Sequence, residues 1–119
     1  MISDAELEVM SVLWEESPLT AKQIIAKLPK QIGWSDKTVK TLLNRLVKKE
    51  ALSFGYTGRE YLYSPIIEKQ NVQSTVSNQV LNQLFNGKLS SLVSYFARNE
   101  KLSDNEIKEL ESIIKEMKK

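Results

Sequence analysis

Apolar side chains recur at helical spacing in two stretches of the first thirty residues, and a capping signature opens each stretch. Ser3-Asp4-Ala5-Glu6 fits a capping box, in which a serine hydroxyl accepts from the amide of a glutamate whose carboxylate reaches back. Thr20-Ala21-Lys22-Gln23 repeats this signature, and Pro29 closes the short apolar stretch behind it. The pattern predicts two helices, separated near Pro18. Their apolar positions are Leu7, Met10, Val12, Leu13 and Trp14, of which Val12 fits the spacing less well, then Ile24, Ile25 and Leu28.

The third predicted helix has a regular amphipathic pattern. Ser35 suits its N-cap position, because a serine hydroxyl can accept from a backbone amide of the first turn. Five apolar residues follow at positions i, i+3, i+4, i+7 and i+8, namely Val39, Leu42, Leu43, Leu46 and Val47. This stripe predicts one face packed against a core and one face left to polar side chains.

Between Ala51 and Ser64 the pattern changes from helical to alternating. Segments 51–54 and 60–64 alternate in polarity and are rich in aromatic residues, and segment 55–59 between them holds two glycines. This predicts a β-hairpin. Three helices followed by a hairpin form the order of a winged helix-turn-helix domain, here residues 1–64.

Residues 65–119 have helical patterns only, in three apolar stripes, and Ser103-Asp104-Asn105-Glu106 fits a third capping box. Such a small unit buries too little of its surface to be stable alone, so we expect its stripes to pack against a second copy. The predicted fold class is mainly α with a small β-hairpin wing: a winged helix-turn-helix domain followed by a helical dimerisation domain. The predicted dimer contacts are Val80, Leu84, Leu92, Phe96, Leu110, Ile113, Ile114 and Met117.

Composition narrows the classes of function. The chain has no histidine and no cysteine, which argues against a zinc or copper site, a Cys–His pair and a Ser–His triad. Carboxylate pairs such as Glu15-Glu16 have no glycine-rich loop or partner group near them. We therefore expect no metal, no cofactor and no enzyme. No apolar run approaches the roughly 18–20 residues of a spanning helix, so we expect a cytoplasmic protein without membrane contact.

Positive charge is concentrated in one short element. The formal net charge is only +2, but Ser35–Lys49 holds five basic residues and one acidic residue. A solvated helix face usually mixes both signs to form i,i+4 pairs, whereas this polar face is nearly all positive or neutral. Its members are Lys37, Thr38, Lys40, Thr41, Asn44, Arg45 and Lys48.

These side chains are of the types that read double-stranded DNA. A threonine can offer a methyl group to thymine or a hydroxyl to a base edge, an asparagine can pair with adenine, and cations hold phosphates. The hairpin tip would bring Arg59 to a phosphate or a minor groove. The alternatives are a solvated face over a core for the helix and a plain turn for the tip.

Three stretches of the chain resemble the penicillinase-repressor family of the BlaI/MecI type: DAELEVMSVLW, GWSDKTVKTLLNRLVKKEAL and SLVSYFARNEKLSDNEIKEL. The resemblance runs over nearly the whole chain. It implies a dimeric winged-helix transcriptional repressor that binds a dyad-symmetric, palindromic operator. Members of the family often have threonine where this chain has Asn44. The DNA-contacting run of the family falls on Lys37, Thr38, Lys40, Thr41 and Arg45.

The resemblance also concerns the release of the repressor. Antibiotic-responsive members are inactivated by cleavage of an Asn–Phe bond in the dimerisation region. The matching stretch SLVSYF has Tyr95 and Phe96 at that pair, which makes them the candidate cleavage position and a regulatory protease a candidate partner. A copper-responsive branch senses metal through C-terminal cysteines, whereas this chain ends in IIKEMKK.

The sequence leaves two alternative hypotheses about function open. One is a winged-helix adaptor that binds another protein and does not select a DNA sequence. The other is a small enzyme that uses glutamate, lysine or tyrosine. The missing histidine and cysteine and the lack of a phosphate-cradling loop disfavour the enzyme.

Overall fold

The computed structural model describes residues 2–119, which form two compact units that divide between Gln73 and Ser74. The first unit holds three helices and a hairpin, with a short 3-10 helix at Lys30–Ile32. These elements are α1 (Asp4–Glu15), α2 (Ala21–Lys27), α3 (Asp36–Lys48), β1 (Leu52–Thr57) and β2 (Glu60–Pro65). Helix α4 (Lys69–Leu84) continues from the first unit into the second, which also contains α5 (Leu89–Asn99) and α6 (Asp104–Met117). Among residues 2–119, no helix is both long and apolar enough to cross a membrane.

The predicted caps start the first three helices. The Ser3 hydroxyl accepts from the Glu6 amide at 3.2 Å, and the Glu6 carboxylate accepts from the Ser3 amide at 2.8 Å. Thr20 and Gln23 form the same reciprocal pair at 3.2 and 2.9 Å. The Ser35 hydroxyl accepts from the Thr38 amide at 3.2 Å. Each cap satisfies amides that have no partner within the helix, which fixes where the helix begins.

The core of the first unit lies between α1, α2, α3 and the inner end of the hairpin. Most of the predicted apolar positions are buried there, and Val47 lies at the margin, where it is only partly buried. The buried set is Val9, Met10, Leu13, Leu19, Ile24, Leu28, Val39, Leu42, Leu43, Leu46, Ala51, Leu52 and Tyr63.

An antiparallel bridge joins the hairpin to the segment between α1 and α2. Leu19, between α1 and α2, donates its amide to the Tyr63 carbonyl at 3.1 Å and accepts from the Tyr63 amide at 2.8 Å. This pairing holds the base of the hairpin beside the helices. The predicted order of three helices and a hairpin, followed by further helices, is confirmed.

The hairpin turn is shorter than the sequence predicted. The expected loop at 55–59 is wrong, because Gly55 pairs with Leu62 inside the ladder and β1 runs to Thr57. Only Gly58 and Arg59 remain between the strands, and Gly58 has a φ of 61°. A two-residue turn needs a residue that tolerates positive φ, and glycine does so without steric cost.

The second unit differs from the first in the burial of its side chains. None of the residues that the structure describes between Ser74 and Lys119 is buried, although the three predicted helices all form. The prediction of a third capping box is wrong for the second of its two hydrogen bonds. The Ser103 hydroxyl accepts from the Glu106 amide at 3.1 Å, but the exposed Glu106 carboxylate is left to solvent.

Candidate nucleic-acid interface

All seven polar residues predicted on α3 are exposed to solvent, as is Arg59 at the hairpin tip. Successive residues of an α-helix are turned by about 100°, which spreads the seven over one broad face. Lys40, Asn44 and Lys48 lie on the side toward the hairpin, where they line depressions shared with its tyrosines. By the same helical spacing, Thr38 and Arg45 lie on the far side, and Lys37 and Thr41 lie near the middle of the face, close to Lys48. We call this set of seven the α3 polar face.

Two hydroxyls of the α3 polar face are already engaged in the helix. Thr38 Oγ1 and Ser35 Oγ are 3.0 Å apart at the N-terminus, and Thr41 Oγ1 donates to the Lys37 carbonyl at 2.9 Å. A hydroxyl has one proton and two acceptor lone pairs. Thr41 therefore offers a ligand its methyl group and an acceptor oxygen, while its proton stays within the helix.

The cations of the α3 polar face are free of intramolecular ion pairs. Among residues 2–119, no salt bridge uses Lys37, Lys40, Arg45 or Lys48. Their positive charges are therefore available to an external anion.

Lys49 differs from these cations, and the sequence did not predict its role. Its Nζ lies 2.6 Å from Oε1 of Glu6, a side chain only 1% exposed. Burial alone would raise the pKa of Glu6, but the hydrogen bonds from Lys49 and Ser3 outweigh it and lower the pKa of that carboxyl. The other carboxylate oxygen, Oε2, is buried without a partner among the described atoms. Lys49 thus fastens the end of α3 to the buried Glu6 at the start of α1, which distinguishes it from the cations of the α3 polar face.

The hairpin presents four aromatic rings on one face, which we call the wing aromatic face: Phe54, Tyr56, Tyr61 and Tyr63. The register pairs Phe54 with Tyr63 and Tyr56 with Tyr61, so all four side chains project from the same side of the ladder. Ring centroids are 5.0 Å apart for Phe54 and Tyr61 and 4.7 Å apart for Tyr56 and Tyr61. The sequence showed that the strands are rich in aromatic residues, but the shared face depends on the turn length, which it did not predict.

A groove lies between the wing aromatic face and helices α2 and α3, and we call it the wing groove. Its lining comprises Ala21, Lys22, Ile25, Asp36, Lys40, Asn44, Arg59, Glu60, Tyr61 and Tyr63. It brings Arg59 of the hairpin tip together with Lys40 and Asn44 of α3. Three cations line the groove against two carboxylates, so its charge is mildly positive. The predicted DNA-contacting residues therefore occupy one continuous surface, formed by the α3 polar face and this groove.

The residues predicted for dimerisation are all exposed or half-buried in the second unit. Leu92 and Leu110 are half-buried, and the other six are exposed: Val80, Leu84, Phe96, Ile113, Ile114 and Met117. The exposed fraction reaches 73% for Leu84 and 80% for Met117. Leu89 and Ile107 belong to the same predicted stripes and are also exposed, although they were not among the predicted dimer contacts.

The candidate cleavage position lies inside helix α5. Tyr95 and Phe96 are exposed side chains of this helix, with ring centroids 5.7 Å apart. The Asn99 amide donates to the Tyr95 carbonyl at 3.0 Å, which adds a bond to that turn. The peptide bond between the two residues is therefore part of regular helical structure.

Three helices pack together in the first unit, and the third turns to solvent a cationic face that forms no ion pair within residues 2–119. A hairpin pairs with the segment between the first two helices. This arrangement defines a winged helix-turn-helix protein. The chain belongs to the penicillinase repressor family, whose sequence profile matches residues 2–116.

Similar proteins include the penicillinase repressor of Bacillus licheniformis, with 44% identity over 117 residues, which are 98% of this chain and 91% of that protein. The solution structure of the DNA-binding domain of the repressor BlaI is similar at 45% identity with a TM-score of 0.55. That of monomeric Bacillus licheniformis BlaI in complex with the blaP half-operator is similar at 45% identity with a TM-score of 0.52. Each similarity covers 60% of this chain and 87% of the other.

Proposed function

We propose that the protein is a transcriptional repressor that binds a dyad-symmetric DNA operator as a homodimer. The observation that carries this proposal is the α3 polar face, with its unpaired cations and its exposed threonine and asparagine side chains. The similarity to a repressor bound to its half-operator supports it. The proposed activity is binding, with no catalytic step, metal or cofactor.

In this proposal α3 enters the major groove. Recognition helices place their N-terminal residues at the base edges, which assigns Thr38 and Thr41 to base contacts. Asn44, one turn further along α3, is assigned to a base by its amide, which can pair with adenine. Lys37, Lys40, Arg45 and Lys48 then hold phosphates, and Arg59 reaches the backbone or the minor groove from the hairpin tip. Phosphate contacts release counterions, so affinity is expected to fall steeply as salt rises.

The homodimer is proposed to form through residues 65–119, and residues 1–64 are assigned to DNA binding. Exposed apolar side chains on α4, α5 and α6 support this division, because contiguous apolar surface on a small unit is typical of a contact between chains. A twofold dimer presents two identical recognition helices, which requires a palindromic operator. The bound dimer would repress transcription by excluding RNA polymerase from the operator. The protein is proposed to act in the cytoplasm.

Release of the operator is proposed to involve proteolysis at Tyr95 and Phe96. A helical peptide bond must open locally before a protease can bind it in an extended form. Cleavage there would separate α6 from α4 and remove dimer contacts. Incubation with a candidate protease followed by mass spectrometry tests this assignment, and cleavage confined to other bonds would contradict it.

A protein-interaction adaptor is the second candidate, and the exposed rings of the wing aromatic face favour it, since aromatic residues are enriched at protein–protein interfaces. Selection of bound fragments from a random duplex library distinguishes the two functions. We expect a palindromic consensus whose half-site spacing reflects the dimer. A matched library selected with the exposed double variant Lys37→Glu/Lys40→Glu should yield none. Failure of the wild-type protein to enrich any sequence would overturn the repressor.

A further inference from the structure

The wing aromatic face leaves three rings in solvent. Tyr63 is buried at the base of the hairpin, whereas Phe54, Tyr56 and Tyr61 are 47, 70 and 44% exposed. Scattered exposed rings are ordinary, but here they form one ladder beside a helix with unpaired cations. The core of the first unit closes without these three rings, which leaves them available to a ligand.

The hydroxyl groups of Tyr56 and Tyr61 form a hydrogen bond with each other. Tyr56 Oη donates to Tyr61 Oη at 3.2 Å, so the proton of the Tyr61 hydroxyl remains available to an acceptor outside the protein. The hydrogen bond with Tyr61 and the proximity of that residue raise the pKa of Tyr56 above the ordinary value of 10.0, at which a tyrosine is already protonated at neutral pH. A hydroxyl that itself accepts a hydrogen bond becomes a stronger donor.

The acceptor that fits this position is an anion. Tyr61 lines the wing groove together with Lys22, Lys40 and Arg59, which outnumber Asp36 and Glu60. Lys40 and Asn44 belong both to this groove and to the α3 polar face, so the two surfaces are continuous. A duplex that lies on α3 therefore carries its sugar–phosphate backbone along the opening of the groove.

We infer that Tyr61, with Tyr56 behind it, donates its hydroxyl proton to a phosphate oxygen of double-stranded DNA in the wing groove. The hairpin then holds the backbone with an aromatic hydroxyl as well as with Arg59 at its tip. This inference rests on the proposed function, because it assumes that DNA lies on α3. The tyrosine contributes a neutral donor, so it adds affinity without releasing a counterion.

Tyr61→Phe tests the inference by removing one oxygen atom and nothing else. We expect roughly tenfold weaker binding to a duplex selected by the wild-type protein, and the same loss on random duplex of equal length, because phosphate contacts carry no sequence information. The slope of affinity against salt should stay unchanged. Tyr56→Phe should give a smaller loss in the same direction, since it removes only the supporting bond.

Ser53→Ala is the matched control, because it removes a hydroxyl from the opposite face of the same hairpin. It should bind as the wild type does. Wild-type affinity in Tyr61→Phe would overturn the inference. A loss accompanied by a lower thermal unfolding midpoint would overturn it too, because the hydroxyl would then act by holding the hairpin. A wild-type protein that binds neither duplex would instead overturn the proposed function.

A duplex series with single uncharged methylphosphonates locates the contact. We expect one position in each half-site at which the substitution weakens the wild-type protein but leaves Tyr61→Phe unaffected, since the two changes remove the same hydrogen bond. Equal losses for both proteins at every position would contradict a Tyr61–phosphate contact.

Discussion

The two compact units of the chain differ in how they cover their apolar side chains. The first unit buries a continuous core of apolar side chains and exposes a polar, cationic face on α3. The described residues of the second unit bury none of their side chains, although α5 and α6 are as amphipathic as α3 in sequence. An amphipathic stripe therefore predicts that a face will be covered, but not what covers it. In the first unit the cover is its own chain, and in the second we propose that it is another copy.

The largest effect should come from the core of the first unit. Leu43 is fully buried on α3, so Leu43→Ala removes packed methyl groups and leaves a cavity. We expect a loss of about 2–5 kcal/mol in the free energy of unfolding, measured by urea denaturation. Leu84→Ala, at a residue 73% exposed in the second unit, is the matched control and should change the unfolding of the first unit little. Equal losses would contradict the contrast between the units.

The next effect concerns the second unit alone. Ile113 is 55% exposed in the single chain, and Ile113→Asp places a charge on the apolar face of α6. It should weaken self-association at least hundredfold, about 3 kcal/mol, because the charge would be desolvated in the dimer. Sedimentation velocity over a range of concentrations measures this. Glu109→Ala, on the same helix but outside the apolar stripe, should leave the association unchanged, and a dimer that survives Ile113→Asp would rule out this face.

The sequence predicted the first unit better than the second for a physical reason. Caps and stripes are local, so the starts of α1, α2 and α3 followed from a few adjacent residues. The turn at Gly58 and the pair of Glu6 with Lys49 depend on strand register and on residues 43 positions apart. Neither leaves a local pattern. The wing aromatic face was missed for the same reason, because a shift of one residue in register would place its rings on opposite sides.

Base reading by α3 should cost less than a core cavity when it is removed. Thr41→Ala deletes the methyl group and the acceptor oxygen that the bond to the Lys37 carbonyl leaves free. We expect a loss of about 1–3 kcal/mol on the selected duplex and almost none on random DNA, measured by fluorescence anisotropy. Thr41→Ser and Thr41→Val then separate the oxygen from the methyl group. Equal losses on both DNAs would assign Thr41 to a backbone contact.

The ion pair between the buried Glu6 and the partly exposed Lys49 should respond to pH. Glu6→Gln removes the charge that Lys49 meets, and we expect a loss of about 1–2 kcal/mol of unfolding free energy at pH 7, since Lys49 is partly solvated. The folded pKa of Glu6 is lowered, so its contribution is complete above the ordinary value of 4.5 and disappears as pH falls through the folded pKa. The difference between the wild type and Glu6→Gln should therefore shrink in acid. Glu16→Gln breaks an exposed pair with Lys27 and should cost less at every pH, and a difference that grew in acid would contradict the pairing.

The smallest effect on free energy should come from a single cation of the α3 polar face. Lys40 is exposed and forms no ion pair among the described residues, so Lys40→Ala should leave the unfolding free energy almost unchanged. If it holds a phosphate, the variant should bind selected and random DNA about equally more weakly, by less than about 1 kcal/mol, and the salt slope should fall by about one. Lys108→Ala on α6 removes an exposed cation from the second unit and should leave the slope unchanged. Because Tyr61→Phe should weaken binding without altering the slope, the two variants together separate ionic contacts of α3 from neutral contacts of the hairpin. An unaltered salt slope for Lys40→Ala would contradict a phosphate contact by Lys40. Lys22 and Arg59 would then be the remaining candidates for a phosphate contact in the wing groove.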